Sequence, residues 1–518
     1  MSLDLDQLIA GRPLWLLEVE WLGRLYRWAS ELPGAEPLIL VDADGSDLEY
    51  RGGLDLNFSD KFALFSESAA PETLSVSLYF GDLEDVPARV AEGHDLSTMT
   101  ARLYRWAPGM SHADRIGVFF GEAREPSYGS RDEPVAVTFE SPIYRDGARW
   151  PSGALTADHL TIDASRADGS PYPIVFGSPG LDLGAASSEG AGLEVPTIVD
   201  ATGYLMGGVW YGASYSATWD TSAEPPATVA ASPSSETDLQ GRRYTRIDVG
   251  ASFSADASYA IAFDGPGYGA GDLLSLCARQ STLRVDFARM EATAPALNAY
   301  KLAGYLDTSV QPWEWALRNV VPLLPVSAMH TPAGVALRVW DAEATAADAL
   351  ADLSTDNGLT RIGPVQLESG DLINEITIRY APALSGDFQR EITLTGRDGI
   401  GATVSPYCVA SRSRLAPMDA AGPLQGVRAT TLETAIVYET ATARRIASWM
   451  VRARANRRRA ISYEAPRLLE WLEPADHVLL TDPELALSGA LAMVRTRRWL
   501  GGRFVLDLVL VDEIGRAG

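Results

Sequence analysis

The first part of the chain alternates apolar and polar residues, which is the period of a half-buried β-strand. The pattern begins with LWLLEVEW at 14–21, and a tight turn leads to a second run at 23–29, so an opening hairpin is predicted. The same alternation predicts further strands at 38–41, 48–51, 74–80, 101–106, 115–120 and 135–139. Only 85–92 has a helical pattern. We therefore predict an N-terminal β-barrel over 1–150.

A six-residue word, RLYRWA, occurs twice within this region, at 24–29 and at 102–107. Two copies with alternating large side chains fit two equivalent strands of a barrel or a duplicated hairpin. Coincidence within a β-rich composition is the alternative, and the word alone leaves both open.

The composition changes near residue 150, where Gly, Pro, Ser and Asp become dense, and this predicts a domain boundary. Short strands separated by small polar residues predict a β-rich second domain over 151–265. A glycine-rich turn then leads into the helical pattern LLSLCARQ, and Asp272 is the predicted cap of that helix.

The remainder predicts an α+β domain over 266–400 and a C-terminal α+β or β-barrel domain over 401–518. A helical or turn element is predicted at 297–306, a helix beginning at Pro312, and an alanine-rich helix near 342–353. Paired strands are predicted at 326–330 and 335–340, and alternating strands at 373–380 and 388–395. The fold class is thus α+β, multidomain, with strands in the majority.

A helix followed by a strand is predicted within 431–482, the most distinctive stretch of the chain. Thr440 or Thr442 can cap the helix. Its apolar stripe is formed by Ala443, Ile446, Ala447 and Met450. Seven arginines fall within sixteen residues here: Arg444, Arg445, Arg452, Arg454, Arg457, Arg458 and Arg459.

Three interpretations of these arginines are open. They can pair with carboxylates across an oligomer interface, line a channel through which DNA later passes, or form a solvated helix face. The formal net charge of −25 argues against general nucleic-acid binding and favours the interface.

Candidate chemistry adds little to this picture. Cys277 and Cys408 are the only cysteines and lie far apart, which argues against a disulfide scaffold, a zinc site or an iron–sulfur cluster. The loop DADGSD at 42–47 suggests calcium, but the position of the bidentate glutamate is occupied by Gly53, so a plain turn is predicted. The five histidines are scattered, and HExxH and GxSxG are not found. We predict no catalytic, cofactor or metal site.

Neither a membrane span nor an export signal is expected. The sequence lacks a run of about 18 apolar residues, and the acidic start MSLDLDQLIAGRPLW differs from the basic region that opens a signal peptide.

A series of words follows in this order along the chain: PYPIVFG, GDLLSLCARQ, LNAYKLAGYLD, VVPLLPVSAMHTPAGVALRVW, DLINEITIRYAP, YETATARRIASWMVRARANRRRAISYEAP and PADHVLLTD. The order of elements in 172–512 resembles that of the baseplate hub, or tail-tip protein, of long-tailed, siphovirus-like bacteriophages, with relatives in gene transfer agents. The resemblance implies a structural homotrimer at the distal end of the tail in the virion, assembled in the host cytoplasm. It would close the tail tube, contact the distal tail and tape-measure proteins, and carry tip or fibre proteins.

Two other functions remain open at this point. One is a carbohydrate-binding or carbohydrate-cleaving multidomain β-protein, because thirteen tryptophans could stack on sugars. The other is a fibre subunit that binds a receptor directly.

Overall fold

The structure is a computed structural model that is strand-rich with fewer helices, and the α+β class predicted from the sequence is confirmed. It describes, apart from single residues, 14–30, 37–62, 72–142, 146–152, 173–177, 195–196, 198–199, 204–212, 214–220, 227–237, 243–250, 259–264, 267–341, 344–368, 375–382, 387–395, 403–404, 429–454, 458–500 and 503–511.

The elements are given in chain order. The first region contains β1 (Leu14–Trp21), β2 (Arg24–Ala29), β3 (Leu38–Val41), β4 (Asp47–Tyr50), β5 (Asp55–Lys61), β6 (Thr73–Leu78), α1 (Val86–Ala91), β7 (Thr100–Trp106), β8 (Ile116–Ser127) and β9 (Val135–Glu140). The next region contains β10 (Ile174–Phe176), β11 (Val195–Pro196), β12 (Ile198–Val199), β13 (Tyr204–Gly207), β14 (Val209–Tyr211), β15 (Ser214–Asp220), β16 (Ala227–Val229), β17 (Ser232–Thr237), β18 (Arg243–Asp248) and β19 (Tyr259–Asp264).

The second half is more helical. It begins with β20 (Tyr268–Gly269), α2 (Ala270–Gln280), α3 (Phe287–Leu297), β21 (Lys301–Leu302), β22 (Gly304–Leu306), α4 (Pro312–Asn319), β23 (Val326–Thr331), β24 (Gly334–Val339), β25 (Asp352–Ser354), β26 (Thr360–Glu368), β27 (Glu375–Pro382), β28 (Phe388–Thr395) and β29 (Thr403–Val404). It ends with β30 (Ala429–Glu433), α5 (Thr440–Arg454), β31 (Arg458–Glu464), β32 (His477–Asp482), β33 (Leu487–Leu500) and β34 (Arg503–Leu510).

One large sheet joins the beginning of the chain to its end and curls into a half-barrel. Its strand order is β2-β1-β7-β8-β9-β6-β5-β33-β34-β31-β26, and β32 and β25 extend it from β33. The junction is the antiparallel pair β5–β33, in which Phe58 lies opposite Trp499. Strands from the first and last predicted domains therefore share one sheet, while the division into four domains stays a prediction.

Strand alternation explains the core of this sheet. Trp15, Leu17, Val19 and Trp21 on β1 all point to the same side, where they are buried with the inward residues of the neighbouring strands. A second core lies against the helices, with residues from β10, α2, α4, β24 and α5 in one cluster. Phe58 of β5 belongs to the first core and Phe62, directly after β5, to the second, so the chain passes from one core to the other at the end of β5.

The two copies of RLYRWA flank β1 as its two neighbours, β2 and β7, but they are not equivalent. Arg27 is the fourth residue of the first copy and Arg102 the first residue of the second, yet both lie opposite Glu18. An offset of three residues turns a strand's side chains to the opposite face. Tyr26 is accordingly buried in the core of the large sheet, whereas Tyr104 packs on the other face.

Three expectations from the sequence were wrong in detail. The helix α2 begins earlier than expected, with Gly269 at its N-cap, so Asp272 lies in the first turn, where its N–H donates to Asn298 Oδ1 at 3.0 Å. The 297–306 element contains the end of α3 and the strands β21 and β22. The alanine-rich segment near 342–353 contains a short 3₁₀ turn at Ala346–Asp348 followed by β25, in the residues that are described.

Gly334 allows the β23–β24 hairpin to approach the chain beside it. Its φ of +136° lies in a region that favours glycine, and a Cβ placed there would lie 2.2 Å from the carbonyl oxygen of Arg284. That close approach lets Val335 N–H donate to Arg284 O at 2.7 Å, while Val335 O accepts from Asp286 N–H at 3.0 Å.

We predict that Gly334→Ala lowers the free energy of unfolding by roughly 2–5 kcal/mol, because backbone strain and steric overlap add. Gly93→Ala is the matched control, since Gly93 also has a positive φ (+94°) but nothing within 4 Å of the added carbon. The control should lose about 1 kcal/mol. Equal losses in denaturant unfolding would show that the hairpin contact does not matter.

Candidate functional site

The helix α5 buries the stripe that the sequence predicted. Ala443, Ile446, Ala447 and Met450 are all buried, and Trp449 and Val451 join them. Trp449 Nε1–H donates to Leu323 O at 3.0 Å, which fixes the helix on the second core. Lys301 N–H donates to Thr442 Oγ1 at 3.0 Å at the beginning of the helix.

The arginines of this helix lie largely on its other side. Arg444 and Arg445 are exposed, and Arg445 lies with its guanidinium carbon 5.8 Å from the centre of the Tyr300 ring. Arg454 is half-buried, and its carbonyl accepts from Ile373 N–H at 3.1 Å. The side chain of Arg452 lies outside the described residues.

The arginines after the helix are in a different environment, in the sheet. Arg458 is buried with its guanidinium carbon 5.6 Å from the centre of the Trp340 ring. Arg459 donates from Nη1 to Leu485 O at 3.1 Å, and burial lowers the pKa of Arg459. Arg457 lies outside the described residues. The described arginines thus divide between an exposed helix face and a partly buried strand, and their role stays a prediction.

A cluster of buried charges, which sequence reasoning missed, lies where β5 passes between the two cores. Asp60 is fully buried and is held by Arg338 of β24 and Arg497 of β33. Arg338 binds it with both terminal nitrogens, one of them at 2.7 Å from Oδ2. Arg497 donates to the same oxygen from Nε at 2.9 Å and lies 2.7 Å from it through Nη2. Burial alone would raise the pKa of Asp60, but the two arginines lower it.

Glu72 adds a second carboxylate to this cluster, 3.3 Å from Arg338 Nη1. Burial, with the negative charge of Asp60 beside it, raises the pKa of Glu72 well above its usual value. Arg497 Nη1 also donates to two backbone carbonyls, Glu470 O at 3.4 Å and Leu472 O at 3.3 Å. The cluster therefore fixes backbone as well as side chains.

The cluster extends to the helices through Glu473. Arg289 of α3 binds this carboxylate with two nitrogens, at 3.2 and 3.3 Å. Burial would raise the pKa of Glu473, but Arg289, Arg497 and Arg338 together lower it. Glu473 N–H donates to Asp476 Oδ2 at 2.7 Å, and burial raises the pKa of Asp476 to about 6.

The only local signal for this cluster was on β5. In DLNFSDK, Leu56, Phe58 and Asp60 share the inward face, so a charged residue follows two apolar ones on one side of a strand. A buried carboxylate needs a charged partner. The partners Arg338 and Arg497 are 278 and 437 residues away, where no pattern in the sequence points to them.

The structural neighbours of this chain are phage tail and baseplate proteins. The tail protein of Neisseria meningitidis MC58 matches with a TM-score of 0.39 and 10% identity over 96% of this chain and 97% of that one. The 43 kDa tail protein of prophage MuSo2 from Shewanella oneidensis matches with a TM-score of 0.36 and 9% identity over 96% and 98%. A chain of a native gene transfer agent virion matches with a TM-score of 0.37 and 14% identity over 69% and 88%.

The order of sequence elements predicted a likeness to phage tail proteins, and these structural neighbours are proteins of that kind. These likenesses are distant and assign no function by themselves. No protein-family profile matches the sequence, and the search of curated proteins finds no similar sequence.

The described histidines make structural contacts. His112 is buried with Nε2 3.0 Å from the Tyr50 hydroxyl, and His477 is buried and accepts from Trp340 Nε1–H at 3.1 Å. Burial lowers the pKa of His330 to about 4, so its ring is neutral at pH 7. His159 lies outside the described residues.

Among the described residues, no group of histidine, cysteine and carboxylate side chains is arranged to hold a metal ion. Cys277 is buried, which raises the pKa of its thiol, and Cys408 lies outside the described residues. The described helices include none with the length and apolarity of a membrane span.

Asp60→Asn should lower the free energy of unfolding by roughly 3–5 kcal/mol, because two buried guanidinium groups lose their charged partner. Glu433→Gln is the control: Glu433 pairs with Arg379 at 3.1 Å at the surface, and its loss should change stability by less than about 1 kcal/mol. Chemical denaturation measures both. A loss at Asp60 no larger than that at Glu433 would contradict a central role for the cluster.

Asp476→Asn should reveal the titration of this carboxyl. Because the folded-state pKa is raised from 3.8 to about 6, the stability that Asp476 contributes is present below the lower value and is lost as the pH rises through the upper one. Relative to wild type, the variant should therefore gain stability as the pH rises between these values and change little above them. Unfolding free energies of both proteins across this range provide the measurement, and a pH-independent difference would refute the assignment.

Proposed function

We propose that this chain is a structural subunit of the distal end of a phage or phage-like tail, of the baseplate-hub kind. As a homotrimer in the virion it closes the tail tube, contacts the distal tail and tape-measure proteins, and carries tip or fibre proteins. The proposal involves no covalent chemistry. Its mechanism is conformational: the hub holds the tube closed until receptor engagement favours an open arrangement through which DNA passes.

The observation that carries the proposal is that most of the words resembling baseplate hubs contribute residues to one core, the second core. The word PYPIVFG forms β10, which pairs with β22 of LNAYKLAGYLD. Phe176 of β10 packs against Trp315 of α4, with ring centroids 5.9 Å apart. Residues of GDLLSLCARQ, of the β23–β24 hairpin and of α5 are buried in the same core. The resemblance therefore concerns a single architecture and not scattered short matches.

The connection of the two cores also supports a structural role. Asp60 and Glu473 bind arginines from three elements, β24, β33 and α3, and so tie the first strands of the chain to its helices and last strands. A hub needs this property, because it must keep the surfaces that contact different partners in fixed relative positions.

We assign the exposed arginines of α5 to an interface between subunits. Arg444 and Arg445 protrude from a chain whose net charge is −25, so an acidic neighbour is readily available. Arg458, which is buried against Trp340, contributes to the fold of the sheet in this proposal. Channel exposure of the α5 arginines is the competing arrangement.

Electron microscopy and light scattering test the proposal. The purified chain should form trimers with threefold density, and labelled antibody should bind at one end of the tails of particles from the organism that encodes it. A chain that stays monomeric at high concentration and is absent from purified particles would overturn the proposal.

Replacing Arg444 and Arg445 together by glutamine should weaken trimer formation, with a rise of roughly 10-fold or more in the dissociation constant if both pairs are buried. Arg503→Gln is the matched control, because Arg503 is exposed, with 71% of its side chain accessible, and lies on a different element. Analytical ultracentrifugation provides the constants. Intact trimers, with particles that eject DNA more slowly, would instead place these arginines in the channel.

A further inference from the structure

The β3–β4 hairpin presents an unusual surface. Ile39 and Val41 of β3 are 59% and 58% exposed and lie on the same face of the strand. The opposite face of the hairpin is buried, with Leu40, Leu48 and Tyr50 in a small core. The exposure is therefore a property of one face of a folded element.

The hairpin is firmly attached to the large sheet. The Tyr50 hydroxyl donates to Glu18 Oε1 at 2.7 Å within the protein. Arg51 N–H donates to Arg27 O at 3.1 Å, and Arg51 O accepts from Ala29 N–H at 2.7 Å. These bonds tie the β4 side of the hairpin to β2. Any partner of β3 would thus meet a preorganised surface.

The other edge of β3 is open among the described strands, since β3 pairs with β4 alone. Asp42 N–H donates to Ser46 O at 2.9 Å, and in an antiparallel ladder hydrogen-bonded positions alternate. Leu40 and Leu38 are then the positions bonded to β4. The N–H and C=O groups of Ile39 and Val41 consequently point outward, beside two exposed apolar side chains.

The hairpin that carries this edge is acidic. Residues 38–51 contain four carboxylates, Asp42, Asp44, Asp47 and Glu49, and one arginine, Arg51. Asp47 lies opposite Val41 and Glu49 opposite Ile39, so an acidic row runs beside the apolar one. The backbone N–H of Ala43 and the His112 ring lower the pKa of Asp42.

We propose that the open edge of β3 is a docking site for an extended segment of another protein, in which apolar residues alternate with basic ones. The segment adds a strand to β3, and its backbone bonds the outward groups of Ile39 and Val41. Its basic side chains lie on the face of these two residues, where their aliphatic stems cover the apolar pair and their charged ends reach across to the acidic row on β4. Its apolar side chains lie on the opposite face, beside Leu38 and Leu40. A second copy of this chain fits poorly, because pairing two β3 edges would bring eight carboxylates together, four from each hairpin. The inference is independent of the tail proposal.

A labelled peptide in which valine alternates with lysine is the probe, and fluorescence anisotropy with the full chain is the readout. We expect saturable binding that weakens as salt rises, and much weaker binding of a peptide with glutamate in place of lysine. Absence of saturable binding up to about 1 mM chain would overturn the proposal.

Ile39→Pro removes an outward N–H without removing a bond to β4, so it should weaken binding about 10-fold or more while the fold persists. Ile39→Lys tests the same site by removing the apolar contact and adding a like charge, in case the proline variant does not fold. Leu350→Lys is the control, because Leu350 is also 55% exposed, and its binding should equal wild type. Unchanged peptide affinity in a folded Ile39 variant would overturn the site. The proposal would also be overturned if the chain self-associates and Ile39→Pro abolishes that self-association.

Discussion

The pairing of Asp60 with Arg338 and Arg497 is the interaction on which the rest of the architecture depends. It lies at the point where β5 leaves one hydrophobic core and enters the other, and its three charged groups come from strands that are remote in sequence. Two apolar cores can slide against each other, whereas ionised groups without solvent tolerate only a narrow range of geometries. Because unpaired charges in the interior are costly, the cluster favours one relative position of the cores over all others.

The fixed relative position of the two cores is consistent with the location of the exposed charged features on separate parts of the surface. The buried charges lie on β5, β33, the β23–β24 hairpin, α3 and the loops beside them, while the features that could contact other proteins, Arg444 and Arg445 of α5 and the acidic hairpin, are exposed on separate elements. Opposite charges on separated surfaces suit an assembly in which each surface has its own neighbour. The overall negative charge then disfavours indiscriminate association.

Local patterns could predict much of the fold. The alternation in LWLLEVEW and the stripe of Ala443, Ile446, Ala447 and Met450 determine strand and helix because those periods are intrinsic to the backbone, and both are confirmed. The strand β5 was not predicted, because only two of its seven residues, Leu56 and Phe58, are apolar and the third inward residue is Asp60. The charge cluster and the pairing of β5 with β33 could not be predicted, since they depend on contacts between distant segments. The repeated RLYRWA word suggested equivalence, but only the register revealed that its copies face opposite ways.

The β5–β33 pair also has a consequence for synthesis on the ribosome. The strand β5 is synthesised long before its partner β33, because Asp60 and Arg497 are separated by 437 residues. Contacts of such long range form slowly, and the N-terminal strands emerge first. Until residues 487–500 are available, the β5 edge and a carboxylate destined for the interior remain without their final partners. The nascent sheet must therefore stay soluble with an incomplete edge, and a chain terminated before β33 would keep that edge permanently.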